Sequence, residues 1–120
     1  MISIVDDDAL VREATANLVR SHGFATANFT SAEDFLESDA VDDTTCLILD
    51  VQLPGLSGIE LQKRLRAKGK KMPVIFITAF PEERVRASAL AAGAVALLDK
   101  PYDADFLIDC VGVALRSLPM

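Results

Sequence analysis

Residues that could hold a soft metal or a crosslink are scarce in this chain. Its 120 residues include one histidine, His22, two cysteines, Cys46 and Cys110, one tyrosine and no tryptophan. Both cysteines stand among aliphatic neighbours, so they read as small buried thiols, and a disulfide framework is excluded. His22 precedes Gly23 at the end of a helical pattern, where an imidazole complements the helix dipole. No uncharged stretch reaches the ~18 apolar residues of a membrane span. Met1 to Val5 runs straight into three aspartates instead of a signal-peptide core, so a cytoplasmic chain without membrane contact is expected. Basic residues are few in the first half: residues 1–60 hold twelve acids against Arg12 and Arg20, within a net charge of −6. The later run Lys63, Arg64, Arg66, Lys68, Lys70 and Lys71 closes a helix, where cations offset the macrodipole, and no direct nucleic-acid contact is expected there. Linkers, repeats and low-complexity segments are absent. With an apolar content of 51%, the chain reads as one domain over 1–120 with a real core.

What the chain does contain is a recurring pattern of apolar runs that end on polar residues. Ile4-Val5 leads into Asp6, Asp7 and Asp8; Cys46 to Leu49 into Asp50; Val74 to Ile77 into Thr78; and Val95 to Leu98 is followed shortly by Lys100. Short apolar runs separated by helix-period segments predict parallel buried strands with crossover helices, an α/β fold. The second strand spans Phe24 to Phe29 and the fifth Ala94 to Leu98. Five helices are expected. The first carries Leu10, Val11, Ala14 and Leu18 at helical spacing; the second opens at Ser31 and the third at Ser57, each with a capping-box spacing. The fourth opens at Pro81-Glu82-Glu83 and ends at Gly93, and the last runs from about Asp103 to Leu118. Asp39 to Thr45 reads as an acidic loop. On the last helix Phe106, Leu107, Ile108, Cys110, Val111, Val113 and Leu115 exceed the apolar arc that packing on one sheet face requires, so part of that surface is expected to meet a partner.

In a parallel sheet all strands point one way, and residues just past their carboxyl ends converge on one crevice. The pattern therefore gathers Asp6, Asp7, Asp50, Thr78 and Lys100. Crowded carboxylates repel unless a cation lies among them. All-oxygen donors select a hard ion, Mg²⁺ by default with Mn²⁺ as the second candidate. A metal, an ammonium and a hydroxyl around a carboxylate suit phosphoryl transfer onto that carboxylate, with Asp50 the natural nucleophile.

These residues carry a resemblance. Ile4-Val5-Asp6-Asp7-Asp8, Leu49-Asp50 with Pro54-Gly55-Leu56-Ser57-Gly58, Ile77-Thr78-Ala79 and Lys100-Pro101 resemble, in order and spacing, the motifs of bacterial two-component response regulator receiver domains. The resemblance spans essentially the whole chain. It implies a doubly wound, flavodoxin-like (CheY-like) sheet of order 2-1-3-4-5 and phosphorylation of Asp50 by a sensor histidine kinase. It further implies Mg²⁺ held by Asp7 and Asp50 with the backbone carbonyl of Gln52, Asp6 acting through water, Thr78 and Lys100 on the phosphoryl oxygens, and a cis Lys100-Pro101 bond. Asp8 is expected to cap the first helix. Gln52 and Phe80 occupy positions that tune hydrolysis of the phosphorylated form. Thr78 and the fifth-strand position three residues before the lysine form the switch in such domains; that position is normally aromatic and is Leu97 here, so ring-coupled signalling cannot be assumed. Ser31 to Leu36 and the Gly93-Ala94 junction are similar to receivers joined to LuxR-type DNA-binding domains, which implies an output domain beyond this chain, transcriptional control, and homodimerisation through the fourth and fifth helices.

Three rival readings stand beside this one. A haloacid-dehalogenase-like phosphatase also uses a strand-end aspartate, a hydroxyl and a lysine, but needs a proton-donating carboxylate two residues after the nucleophile, where this chain has Gln52. A flavin-binding module would need a glycine- or hydroxyl-rich phosphate loop after the first strand, where aspartates stand. A degenerate receiver serving only protein contacts would have no use for Asp50, Thr78 and Lys100 together.

Overall fold

A computed structural model describes residues 1–80 and 82–116. Five strands, β1 Ile2–Val5, β2 Thr26–Phe29, β3 Cys46–Asp50, β4 Val74–Thr78 and β5 Ala96–Asp99, form an all-parallel sheet in the expected order β2-β1-β3-β4-β5. β1, β3 and β4 are buried along their whole length, which is why they read as continuous apolar runs without alternation. Successive residues of each strand feed opposite cores. Val5, Leu47, Leu49, Phe76 and Leu97 face one, with Phe35, Leu61 and Leu65 from its covering helices. Ile4, Ile48, Ile75, Ile77 and Leu98 face the other, under Ala16, Val19, Leu107 and Val111.

Among the described residues six helices flank the sheet rather than five: α1 Ala9–Ser21, α2 Ala32–Glu37, α3 Ala40–Asp43, α4 Gly58–Ala67, α5 Glu83–Ala91 and α6 Ala104–Arg116. The extra one, α3, replaces the acidic loop expected between Asp39 and Thr45. Its end is closed locally by the Thr44 hydroxyl, which donates to the Ala40 carbonyl at 2.6 Å, and is tied to the sheet by a 2.6 Å hydrogen bond between that hydroxyl and the buried Ser3 hydroxyl on β1, 41 residues away. The strand bounds shift as well, β2 beginning at Thr26 and β5 running from Ala96 to Asp99. The helix caps follow expectation. Asp8 accepts from the Leu10 and Val11 amides, Ser31 from Asp34 and Ser57 from Glu60. Pro81 and the expected end of the last helix at Leu118 lie outside the described residues.

α1 is rotated relative to its sequence pattern. It buries Thr15, Ala16 and Val19 against the sheet, while Leu10 is 81% exposed and Leu10, Val11, Ala14 and Leu18 line a surface groove. The small Ala16 and the branched Thr15 and Val19 allow close approach to the pleated sheet, and the larger stripe is left on the flank. On the opposite edge the expected surplus is real: Leu90 on α5 and Phe106 and Val113 on α6 are about half exposed. Both cysteines are buried and free, and burial pushes the Cys46 thiol up to about 12, so it is inert at neutral pH. The basic residues at the end of α4 are mostly solvated; Arg66 donates to the Gly93 carbonyl and Lys70 pairs with Asp42. Gln62 is buried with neither amide atom partnered, a cost on the order of 1–3 kcal/mol.

Candidate functional site

Strand register assembles the site. Val5 pairs with Leu49 and Asp50 with Ile77, so the next residues along the chain, Asp6, Asp50 and Thr78, emerge together at the carboxyl edge of the three central strands. Among the described residues, Asp6, Asp7 and Asp50 form the one acidic cluster able to hold a metal, with one carboxylate oxygen from each all within 4.8 Å of one another. Asp6 and Asp50 are buried and Asp7 is exposed, leaving the cluster open on one side. These are hard oxygen donors, and the chemistry of the set fits a Mg²⁺-type ion.

Lys100 reaches into this cluster from beyond β5. Its ammonium lies 2.9 Å from one Asp50 oxygen and 3.1 Å from one of Asp6. The Lys100-Pro101 bond is cis, as expected. Asp50 is thus gripped on both oxygens, Lys100 on one and the Gln52 amide on the other at 3.0 Å. Burial pushes the Asp50 carboxyl up to about 6, with the Asp6 charge adding to the rise and Lys100 opposing it. The two carboxylates hold the Lys100 ammonium above its usual value, against its own desolvation.

Asp6 is fixed at every polar atom. Its amide donates to Phe29, its carboxylate accepts from the Asp8 amide at 2.9 Å as well as from Lys100, and its carbonyl accepts from the Arg12 guanidinium at 2.8 Å. Arg12 was counted in the sequence only as one of two cations in an acidic half; nothing in the linear pattern marks its reach back across the first turn of α1.

Thr78, buried completely, does not bond Asp50. Its hydroxyl lies 2.9 Å from the Gln52 side-chain oxygen and 3.2 Å from the Phe80 carbonyl, and it accepts from the Phe80 amide at 3.0 Å. Gln52, Thr78 and Phe80 therefore make a second cluster, joined to the first through the Gln52 amide. The Phe80 residue is 59% exposed, whereas Leu97 is a core residue. Asp6, Asp50 and Lys100 thus form one hydrogen-bonded group, with Asp7 beside it, and Gln52, Thr78 and Phe80 form another, while Leu97 packs in the apolar core.

Comparison with known proteins agrees with this geometry. The family model of the response regulator receiver domain matches residues 2–112. The transcriptional regulatory protein TdiR of Thauera aromatica is 38% identical over 95% of this chain and 50% of its own length. The transcriptional regulatory protein FixJ of Azorhizobium caulinodans is 39% identical over 95% of this chain and 54% of its own. The solved structure of the response regulator StyR superposes with a TM-score of 0.88 at 41% identity, covering 96% of this chain and 58% of that one. The chain spans about half the length of the curated relatives it matches. With an acidic crevice on the carboxyl edge of a 2-1-3-4-5 parallel sheet, a lysine across it and a family match over nearly its whole length, the chain belongs to the response regulator receiver domains.

Proposed function

We propose that Asp50 accepts a phosphoryl group from a sensor histidine kinase in a Mg²⁺-dependent reaction, and that the change which follows controls self-association and an output domain. The observation that carries this is the Lys100 ammonium set between Asp50 and Asp6, beside three carboxylates that converge within 4.8 Å. Receivers bind Mg²⁺ at such an acidic pocket; here Asp6, Asp7 and Asp50 would hold it, with the Gln52 carbonyl, and when bound it supplies charge neutralisation for the incoming phosphoryl group. An ionised Asp50 oxygen attacks phosphorus, the P–N bond to the kinase histidine breaks, and the imidazole leaves with the electron pair while an acyl phosphate forms. Lys100 offsets charge on the phosphoryl oxygens. The Thr78 hydroxyl exchanges Gln52 for a phosphoryl oxygen, which makes Thr78 the first moving part of the switch. Receivers are signalling domains rather than metabolic enzymes, and this one would catalyse only its own phosphorylation and a slow loss of phosphate. Gln52 in place of a proton-donating acid supports that reading over a phosphatase.

The direct test is intact mass after incubation with acetyl phosphate and Mg²⁺. One added phosphoryl group is expected on the wild type and none on Asp50→Ala; labelling that persists in the variant would place the acceptor elsewhere.

The Phe80 backbone is tied to Thr78 at the site and its side chain is exposed, which supports a ring that shields the acyl phosphate from water. Phe80→Ala should speed decay of the phosphorylated protein several-fold after donor removal, and an unchanged lifetime would strip the ring of that role.

The whole of 1–120 is taken as one cytoplasmic receiver domain; among the described residues no helix is long and apolar enough to cross a membrane. The half-exposed Leu90, Phe106 and Val113 support pairing of two copies through α5 and α6, the fourth and fifth helices of the sequence reading. Relatives twice this length that are named transcriptional regulators support a DNA-binding output domain outside the chain. Sizing the protein with and without beryllofluoride, a stable phosphoryl mimic, should show a doubled mass only when loaded; a constant mass would count against pairing.

A further inference from the structure

The switch position on β5 is occupied by Leu97, 8% exposed and packed in the apolar core, with no polar atom that could follow Thr78. A ring does stand two residues beyond Lys100 in the chain. Tyr102 is half-buried, and its phenol shares a hydrogen bond with the hydroxyl of Thr15 on α1, 87 residues away in sequence. Thr15 itself is buried, so this bond anchors the ring to the face of α1 that packs on the sheet.

Pro101 and Tyr102 together form a wall between two grooves. One, of about 420 Å³, runs along the outward stripe of α1, Leu10, Val11, Ala14 and Leu18, and ends at Lys100. The other, of about 310 Å³, lies on the α5 and α6 side, with Arg86, Leu97, Asp99 and Phe106. The wall therefore follows directly in sequence on Lys100, whose ammonium touches Asp50.

We propose that Tyr102, tethered to Thr15, carries the loading state of Asp50 to the α1 groove, filling the part left vacant by the missing ring at position 97. This rests on Asp50 being the phosphoacceptor. Before loading, Lys100 divides its ammonium between Asp50 and Asp6. A phosphoryl group adds about 1.5 to 2 negative charges and draws the ammonium to itself. The Lys100 amide donates to the Thr78 carbonyl at 2.8 Å, so a shift of Thr78 toward the phosphoryl group passes directly to the Lys100 backbone and on to Pro101 and Tyr102. Because the phenol is fixed on α1, the ring cannot move without disturbing the stripe it abuts.

The experiment follows methyl and amide NMR signals of the full chain as Mg²⁺ and beryllofluoride are added, in wild type, Tyr102→Phe and Thr15→Val. Both substitutions remove one hydroxyl and keep the side-chain volume. Loading should shift the Thr78 and Lys100 amides in all three proteins, and the Leu10, Val11 and Leu18 methyls in the wild type. In each variant the methyl shifts should fall by about half or more, and by the same amount in both, as expected when both residues act through one bond. Methyl shifts of wild-type size in Tyr102→Phe, or none in the loaded wild type, would overturn the proposal. Absence of any Thr78 or Lys100 response in the wild type would instead bring down the phosphoacceptor reading on which it stands.

Discussion

Replacing Lys100 with methionine is expected to slow labelling of Asp50 by acetyl phosphate and Mg²⁺ about 100-fold or more, the usual cost of removing one aimed charge or donor from a transition state. Among the described residues Lys100 is the cation whose side chain contacts the Asp50 carboxylate, and methionine keeps an unbranched apolar stem without the charged end. The same substitution should make stability depend strongly on pH. In the wild type the folded-state pKa of Asp50 already lies at about 6 against an ordinary 3.8, with burial as the main cause and Lys100 among the groups that restrain the rise. Without the ammonium, Asp6 and Asp50 face each other unopposed, and the Asp50 pKa climbs further. An acid whose folded pKa is raised binds its proton more tightly folded than unfolded. Its ionisation therefore destabilises the fold, by an amount that is absent below the unfolded pKa and grows as pH rises through the folded one. Because the wild-type value is already about 6, the part of the Lys100→Met deficit that appears between pH 5 and pH 7 is about 1 kcal/mol, present at the higher pH and lost at the lower. Urea unfolding at the two pH values measures this. A stability deficit of equal size at both would mean that Lys100 does not hold the carboxylates apart.

The pattern of apolar runs ending on acids, a hydroxyl and a lysine was enough to place the site, because a parallel sheet puts every strand's carboxyl end on one side and strand register then aligns Asp6 with Asp50. The caps at Asp8, Ser31 and Ser57 were equally legible, since each depends on residues within three positions. What escaped depends on long-range contact. α3 sits in a run of acids with no apolar period, and the Ser3–Thr44–Ala40 chain of hydrogen bonds that supports it joins residues far apart in sequence. The rotation of α1 was hidden because Leu10, Val11, Ala14 and Leu18 satisfy the same period as Thr15, Ala16 and Val19, and periodicity does not say which of two apolar faces meets the sheet. The partners of Thr78 were also out of reach: a hydroxyl at a strand end could aim at Asp50, and it is the side chain of Gln52, 26 residues earlier, that takes its bond in this state. The arm of Arg12 and the tether of Tyr102 escaped for the same reason.

Gly58→Ala is expected to be the most damaging single-methyl change in the chain. In the sequence Gly58 is the last member of a turn that leads into α4, and its glycine could be taken as turn chemistry. The structure gives a different cause. A Cβ there would lie 2.2 Å from the Asp50 carbonyl oxygen and 3.1 Å from both the Asp50 carbonyl carbon and the Val51 Cα. All three are backbone atoms, so no side-chain rotation relieves the overlap. The contact is close because the start of α4 is bonded to the strand end itself, the Gly58 amide donating to the Val51 carbonyl at 3.0 Å. Accommodating the methyl group must push α4 outward or move the backbone of Asp50 and Val51, an overpacking cost of about 3 kcal/mol. Whatever fraction remains folded should also be labelled poorly, since the Asp50 oxygens are placed by that backbone relative to Lys100 and the Gln52 amide. Gly112→Ala serves as the control. It lies within α6 with nothing within 4 Å of its added Cβ, and should be stabilised by about 0.5–1 kcal/mol through helix propensity. Urea midpoints of the two variants, together with intact mass after acetyl phosphate treatment, separate the effects. A Gly58→Ala protein with wild-type stability and labelling would show that the helix and the acceptor strand are not in the close contact on which the position of Asp50 depends.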